Sequence, residues 1–117
     1  MPKDDSRFRL GHILEAIDKI STYIHDVTFD EFSRDSMIFD AVARNLEIVG
    51  EAARNIPEEV RDQHNEIPWR EMLGMRNILA HGYMTLDMPT IWQTITEDLP
   101  DMRPHLEAIL AAVEDPE

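Results

Sequence analysis

Apolar residues recur at three- and four-residue steps along nearly the whole chain and never settle into the alternation of a strand, which leaves helix as the regular structure open to it. Leu10, Ile13, Leu14, Ile17, Ile20, Ile24 and Val27 outline a first amphipathic helix over residues 7–26, with Asp4, Asp5 and Ser6 as candidate caps. After a turn around Thr28-Phe29-Asp30, the period resumes at Ile38, Ala41, Val42, Leu46, Val49, Ala52, Ala53 and Ile56, until Pro57 interrupts it. A short acidic helix over residues 58–63 follows. Ile67-Pro68 opens a third major helix through Met72, Leu73, Met75, Ile78 and Leu79, with Gly82 as its stop signal. In the last segment Asp87 is the cap, Pro89 lies in the first turn, and Met88, Trp92, Ile95, Leu99, Met102, Leu106, Ile109 and Val113 form the stripe. This register crosses Pro100 and Pro104, so a kinked helix or two helices stacked nearly in line is expected. The pattern predicts an all-α, antiparallel up-and-down bundle of four to five helices in one domain, residues 1–117.

Composition narrows the chemistry. With 117 residues the chain is the size of one small domain, and the absence of cysteine excludes a disulfide framework, a thiolate metal site and a cysteine nucleophile. No run of about 18 apolar residues and no signal-peptide core occur, so a soluble, unexported, cytoplasmic protein is expected. The formal net charge is −13, a field that repels nucleic acid on average and suits docking against a basic partner. Yet nine of the eleven basic residues are arginines, whose fork suits phosphate, so a local phosphate site survives the global charge.

One stretch concentrates polar chemistry at the end of an otherwise apolar helix: Gly74-Met75-Arg76-Asn77-Ile78-Leu79-Ala80-His81-Gly82-Tyr83. Five residues apart, Arg76 and His81 would stand about 140° apart on an ideal helix and would not converge. If the helix loosens at Gly82, His81 can swing back toward Arg76, and a second copy of the chain can bring two such pairs into one cleft. A neutral imidazole could then take the proton of a ribose 2′-hydroxyl while the guanidinium holds the phosphate as charge builds, with no metal or cofactor. Asn77 could orient the histidine or the phosphate. On local physics alone, ordinary C-terminal capping, favoured by the helix dipole, is the more ordinary explanation of an arginine or histidine before glycine, and Tyr83 alone fits a half-buried aromatic.

Arg76-x-x-x-x-His81-x-Tyr83 resembles the motif of the HepT toxins, a branch of the HEPN superfamily. Arg9-Leu10-x-His12-Ile13-Leu14-Glu15-Ala16-Ile17, the run from Ala41 to Ala53, Ile67-Pro68-Trp69, Trp92-x-Thr94 and Asp98-Leu99-Pro100 are similar as well, so the resemblance covers nearly the whole chain. It implies a HEPN bundle that pairs as a homodimer around a composite, metal-independent ribonuclease site, with Arg76 and His81 as catalytic pair and cellular RNA, transfer or messenger, as substrate. It also implies a partner, a minimal nucleotidyltransferase antitoxin like MntA, which moves AMP from ATP onto the motif tyrosine, here Tyr83. Each AMP would place negative charge and bulk where the RNA phosphate binds. The rival reading is a HEPN module that serves a nucleotidyltransferase as a scaffolding subunit and cuts nothing. A third is a purely structural helical dimer with a degenerate motif.

Other candidates read more plainly. Arg44, Glu47 and Glu51 share one helical face, as an intrahelical ion-pair stripe or as carboxylates that position Arg76 or His81. Gly50 marks a close helix approach rather than a ligand loop. His12, His25, His64 and His105 show no metal-ligand spacing, and no metal is expected. Trp69 and Trp92 read as core or interface aromatics, Trp69 also as a possible partner contact. Met37, Met72, Met75, Met84, Met88 and Met102 read mainly as packing on apolar faces.

Overall fold

The computed structural model describes residues 6–77 and 87–114, and every regular element among them is helical. The chain forms α1 (Ser6–Tyr23), α2 (Phe29–Arg34), α3 (Ser36–Arg54), α4 (Glu58–Asp62) and α5 (Trp69–Gly74), which tightens into a 3-10 turn (Met75–Asn77). Past residue 87, α6 (Met88–Gln93) runs through a π-helical turn (Thr94–Asp98) into α7 (Leu99–Glu114). None of the described helices is long and apolar enough to cross a membrane.

The bundle is organised around α3, which packs against α1 on one side and against α5 and the 3-10 turn on another, while α1 packs in turn against α7. Leu10, Ile13 and Ile20 of α1, Val42, Leu46 and Val49 of α3, Met72 of α5, and Leu99 and Leu106 of α7 are fully buried. Each such side chain contributes about 2 kcal/mol by leaving water. The apolar stripes of the sequence are therefore the core. Ile24, Val27 and Ile38 pack at its margin.

Several boundaries follow from identifiable local chemistry. α1 ends at Tyr23, short of residue 26, because the chain reverses at Asp26, whose φ of 60° lies in the left-handed region that aspartate tolerates. The expected turn at Thr28 is the start of α2: the Thr28 hydroxyl accepts from the Glu31 N–H at 3.1 Å, and the Glu31 carboxylate accepts from the Thr28 N–H at 2.9 Å. This reciprocal capping box explains a helix of only six residues. Phe32 of α2 is buried and stacks on Phe39 and Trp92 at 5.8 and 5.2 Å. Asp35 ends α2 and caps α3, accepting from the N–H groups of Met37 and Ile38. Met37 itself is 79% exposed, a correction to its assignment as packing: it sits in the first turn of α3, on the face turned to solvent. Met84 lies outside the described residues.

Just before Pro100 the helix changes step, and α6 and α7 are joined through the π turn. The π turn widens the helix just before the proline, with the Leu99 N–H donating to the Thr94 carbonyl. That is where a proline ring would otherwise crowd the preceding turn. Thr94 and Thr96 donate their hydroxyls to the carbonyls of Thr90 and Trp92, at 3.0 and 2.7 Å, where the backbone ladder changes step. Asp87 caps α6 as expected, accepting from the Thr90 N–H and hydroxyl.

Two contacts fix the helices relative to one another. Arg103 of α7 grips Asp18 of α1 through two parallel bonds, Nε to Oδ1 at 2.7 Å and Nη2 to Oδ2 at 2.8 Å, and reaches Glu107 with Nη1 at 2.6 Å. Those bonds hold the Asp18 carboxyl below its ordinary range against a modest opposing effect of burial, and they hold the Arg103 guanidinium above its own. The second contact is steric. A Cβ on Gly50 would stand 2.9 Å from the Cα and Cβ of Arg76 and closer still to its backbone nitrogen, so the 3-10 turn rests directly on bare α3 backbone.

Two predictions follow from these contacts. Gly50→Ala should destabilise the protein by about 2 kcal/mol, since rigid backbone must move, whereas Gly11→Ala in α1, where a Cβ meets nothing within 4 Å, should stabilise it by about 0.5–1 kcal/mol. Urea unfolding of the two variants checks the opposite signs. Asp18→Asn should cost about 1 kcal/mol at about pH 7, the range of a partly solvated pair. Because the folded carboxyl titrates below its ordinary 3.8, its contribution is complete above that value and disappears as pH falls through the lowered one. Melts of wild type and variant should therefore converge in acid, and an equal deficit at both pH values would overturn the assignment.

Candidate active site

Arg76 occupies the middle of the 3-10 turn, and its backbone is seated on Gly50. At Gly74 α5 gives way to the 3-10 turn, and the Met75 N–H donates to the Met72 carbonyl in the tighter spacing; Ile78, Leu79 and the expected stop at Gly82 lie outside the described residues. Tightening lets Met75 remain buried while Arg76, half-buried, emerges beside α3. Gly50 thus marks a close approach, as its position in the sequence suggests, and what approaches it is the candidate catalytic arginine. Asn77 closes the turn. His81 and Tyr83 lie outside the described residues.

The Arg76 side chain lines a shallow cleft with Arg44, Glu47, Ile48 and Glu51 of α3, four positions that share one helical face. The carboxylates are already engaged along that helix. Glu47 pairs with Arg44 at 3.8 Å, while Glu51 pairs with Arg54 at 3.6 Å and accepts from the Asn55 amide at 3.4 Å. The ion-pair stripe read from the sequence therefore exists, and it also walls the cleft. Among the described residues none forms an ion pair with the Arg76 guanidinium, whose forked donors suit a phosphate. The sequence reading missed that Arg44 shares this cleft with Arg76. Its signal was the coincidence of a helical face carrying Arg44, Glu47 and Glu51 with a glycine demanding a close neighbour.

The remaining polar candidates have structural employment. Asn45 is buried and donates to the Ala41 carbonyl at 2.9 Å. Trp69 is a core residue whose indole N–H donates to the His64 carbonyl at 2.9 Å, which removes it as a surface contact for a partner. His12 stacks on Phe8, and His25 and His64 each lie near a neighbouring carboxylate. No group of three His, Asp or Glu among the described residues is placed to hold a metal. A second depression, between α5 and the C-terminal helices, has buried Leu46, Met75, Ile91 and Met102 in its lining and exposed Glu71 and Asp101 at its edges. Its negative charge suits a cationic or apolar occupant better than RNA.

Comparison with known proteins places the chain in a family. The sequence profile described as "Ribonuclease HepT-like" matches residues 13–109. The chain is 41% identical over 100 residues to a Thermococcus cleftensis protein named "Probable ribonuclease HepT", covering 86% of this chain and 91% of that one. It is 36% identical over 101 residues to a "Putative RNase" of Caldanaerobacter subterraneus subsp. tengcongensis, covering 86% and 90%. A Methanocaldococcus jannaschii protein named "Gamma-glutamylcyclotransferase and putative RNase" is 39% identical over 108 residues; the match covers 92% of this chain and about half (49%) of that longer relative. No solved structure gives a significant match. With a family profile spanning most of its length and relatives matched nearly end to end, the chain belongs to the HepT-like ribonuclease family.

Proposed function

We propose that this protein is a metal-independent endoribonuclease, the toxin of a HEPN and minimal-nucleotidyltransferase pair, and that Arg76 and His81 carry the reaction. The observation that supports this most directly is Arg76 itself: half-buried, seated by its backbone on Gly50, and outside the ion pairs that occupy Glu47 and Glu51. In a ribonuclease family, such a guanidinium is suited to the phosphodiester.

In the proposed reaction the neutral His81 imidazole takes the proton of a ribose 2′-hydroxyl. The resulting oxygen attacks the adjacent phosphorus, and the bond to the 5′-oxygen breaks. The leaving oxygen takes up a proton from solvent or from the second histidine of a dimer, leaving a 2′,3′-cyclic phosphate and a 5′-hydroxyl. Arg76 stabilises the negative charge that accumulates on the non-bridging oxygens. Asn77 supports the orientation of phosphate or imidazole. Two copies of the chain face each other across a composite site, and cellular RNA, transfer or messenger, is the substrate. A nucleotidyltransferase like MntA silences the toxin by moving AMP from ATP onto the Tyr83 hydroxyl, releasing pyrophosphate and adding phosphate charge next to Arg76.

A second reading has its own support. The net charge of −13 and the acidic edge of the depression beside α5 favour docking to a basic protein over binding RNA, as a scaffolding subunit of a nucleotidyltransferase would require.

Cleavage of single-stranded RNA in EDTA separates the two. Wild type is expected to cut, and His81→Ala and Arg76→Ala each to lose on the order of 10²–10⁴ in rate with unchanged circular dichroism. No cleavage by wild type whose Tyr83 is unmodified by intact mass would transfer the case to the scaffolding reading. With the partner enzyme and ATP, intact mass should rise by whole AMP units in wild type and stay constant in Tyr83→Phe.

A further inference from the structure

We infer that Arg44 is a second phosphate-binding residue of the same cleft: Arg76 takes the phosphate that is cut, Arg44 a neighbouring phosphate of the same strand, and Glu47 is the counter-ion that Arg44 exchanges for RNA. This rests on the ribonuclease reading and extends it to how the strand is held.

Arg44 and Arg76 line one shallow cleft, with Ile48 as its apolar wall. Arg76 is fixed to α3 through Gly50, six residues after Arg44, about 9 Å along the helix axis. Two long side chains mounted that far apart on one rigid helix and its seated turn can reach successive phosphates of an extended strand.

Arg44 is only weakly paired. Its guanidinium stands 3.8 Å from Glu47 with 70% of the side chain in solvent, whereas Arg103 in the same molecule binds its carboxylates at 2.6–2.8 Å. Charge-assisted bonds worth keeping are of the shorter kind. Arg44 is thus held loosely by a carboxylate that a phosphate can replace. Glu51 is turned to Arg54 and Asn55, at 3.6 and 3.4 Å, and forms no ion pair with Arg44.

Charge supplies the need. A chain with net charge −13 repels RNA at long range, and a lone half-buried arginine is a small counterweight. A second arginine in the same cleft doubles the local cationic charge without altering that balance elsewhere.

The test is anisotropy of a labelled, fully 2′-O-methylated single-stranded oligoribonucleotide, which has no 2′-hydroxyl to react, titrated with wild type, Arg44→Gln, Arg44→Lys and Glu47→Gln at several salt concentrations. Arg44→Gln is expected to bind roughly three- to tenfold more weakly and to lower the slope of log K against log salt by about 0.7, the value for one phosphate contact on a single strand. Arg44→Lys should keep the slope and lose part of the affinity. Glu47→Gln should bind more tightly than wild type, and by more than Asp101→Asn, which removes the same charge from the other depression. Equal affinity and slope in wild type and Arg44→Gln overturn the inference, as does no binding by any form, or equal effects of Glu47→Gln and Asp101→Asn. Cleavage by wild type in EDTA is read alongside. If RNA is bound with the expected slopes but not cut, the ribonuclease reading fails alone; if it is cut with the same KM by wild type and Arg44→Gln, the inference fails alone.

Discussion

The seating of the 3-10 turn on Gly50 is the contact on which the arrangement of the candidate site depends. α3 touches α1, α2, α5 and the turn, so any element it positions inherits the rigidity of the bundle centre. A side chain at residue 50 would hold the turn away from the helix, and Arg76 would then face solvent rather than the Arg44 and Glu47 face. What fixes this geometry is the absence of atoms at one position, which makes the contact short and leaves it no soft side chain through which to adjust.

Charge is distributed unevenly enough to matter. The acidic excess is visible where Glu71 and Asp101 edge the depression beside α5, and the cationic exceptions sit elsewhere: Arg103 in a tight structural pair, Arg44 and Arg76 in the cleft on α3. An arginine with short bonds to two carboxylates is committed to the fold. An arginine with a long bond, or with no ion pair among the described residues, is not committed in that way. Distances of 2.6–2.8 Å against 3.8 Å thus separate a guanidinium tightly held by the fold from a loosely held one.

Much of the bundle was legible because helical period, caps and prolines are local signals. Pro57 stops α3 and Asp87 starts α6, and the stripe from Leu10 to Ile20 is core. α2 escaped because six residues carry too little period to notice, although Thr28-x-x-Glu31 is a readable capping box. Two features, the 3-10 turn at Met75 and the π turn before Pro100, are departures from ideal helix made where tertiary packing or a proline ring outweighs local preference. Within the site, Arg76 and Gly50 were each legible by themselves. Their contact was not, because it joins residues 26 apart in sequence, and with it went the company of Arg44.

Residue 76 divides its duties between different atoms. The bundle holds it by the backbone nitrogen, Cα and Cβ, which every residue but glycine supplies, and the guanidinium lies beyond the atoms that touch Gly50. The fold therefore places little demand on what the side chain becomes past Cβ. The contact with Gly50 does not by itself require an arginine there. Under the proposed reaction, an arginine kept at this position across related chains would record activity, and its replacement above an unchanged glycine would mark a copy that has kept the scaffold and given up the reaction.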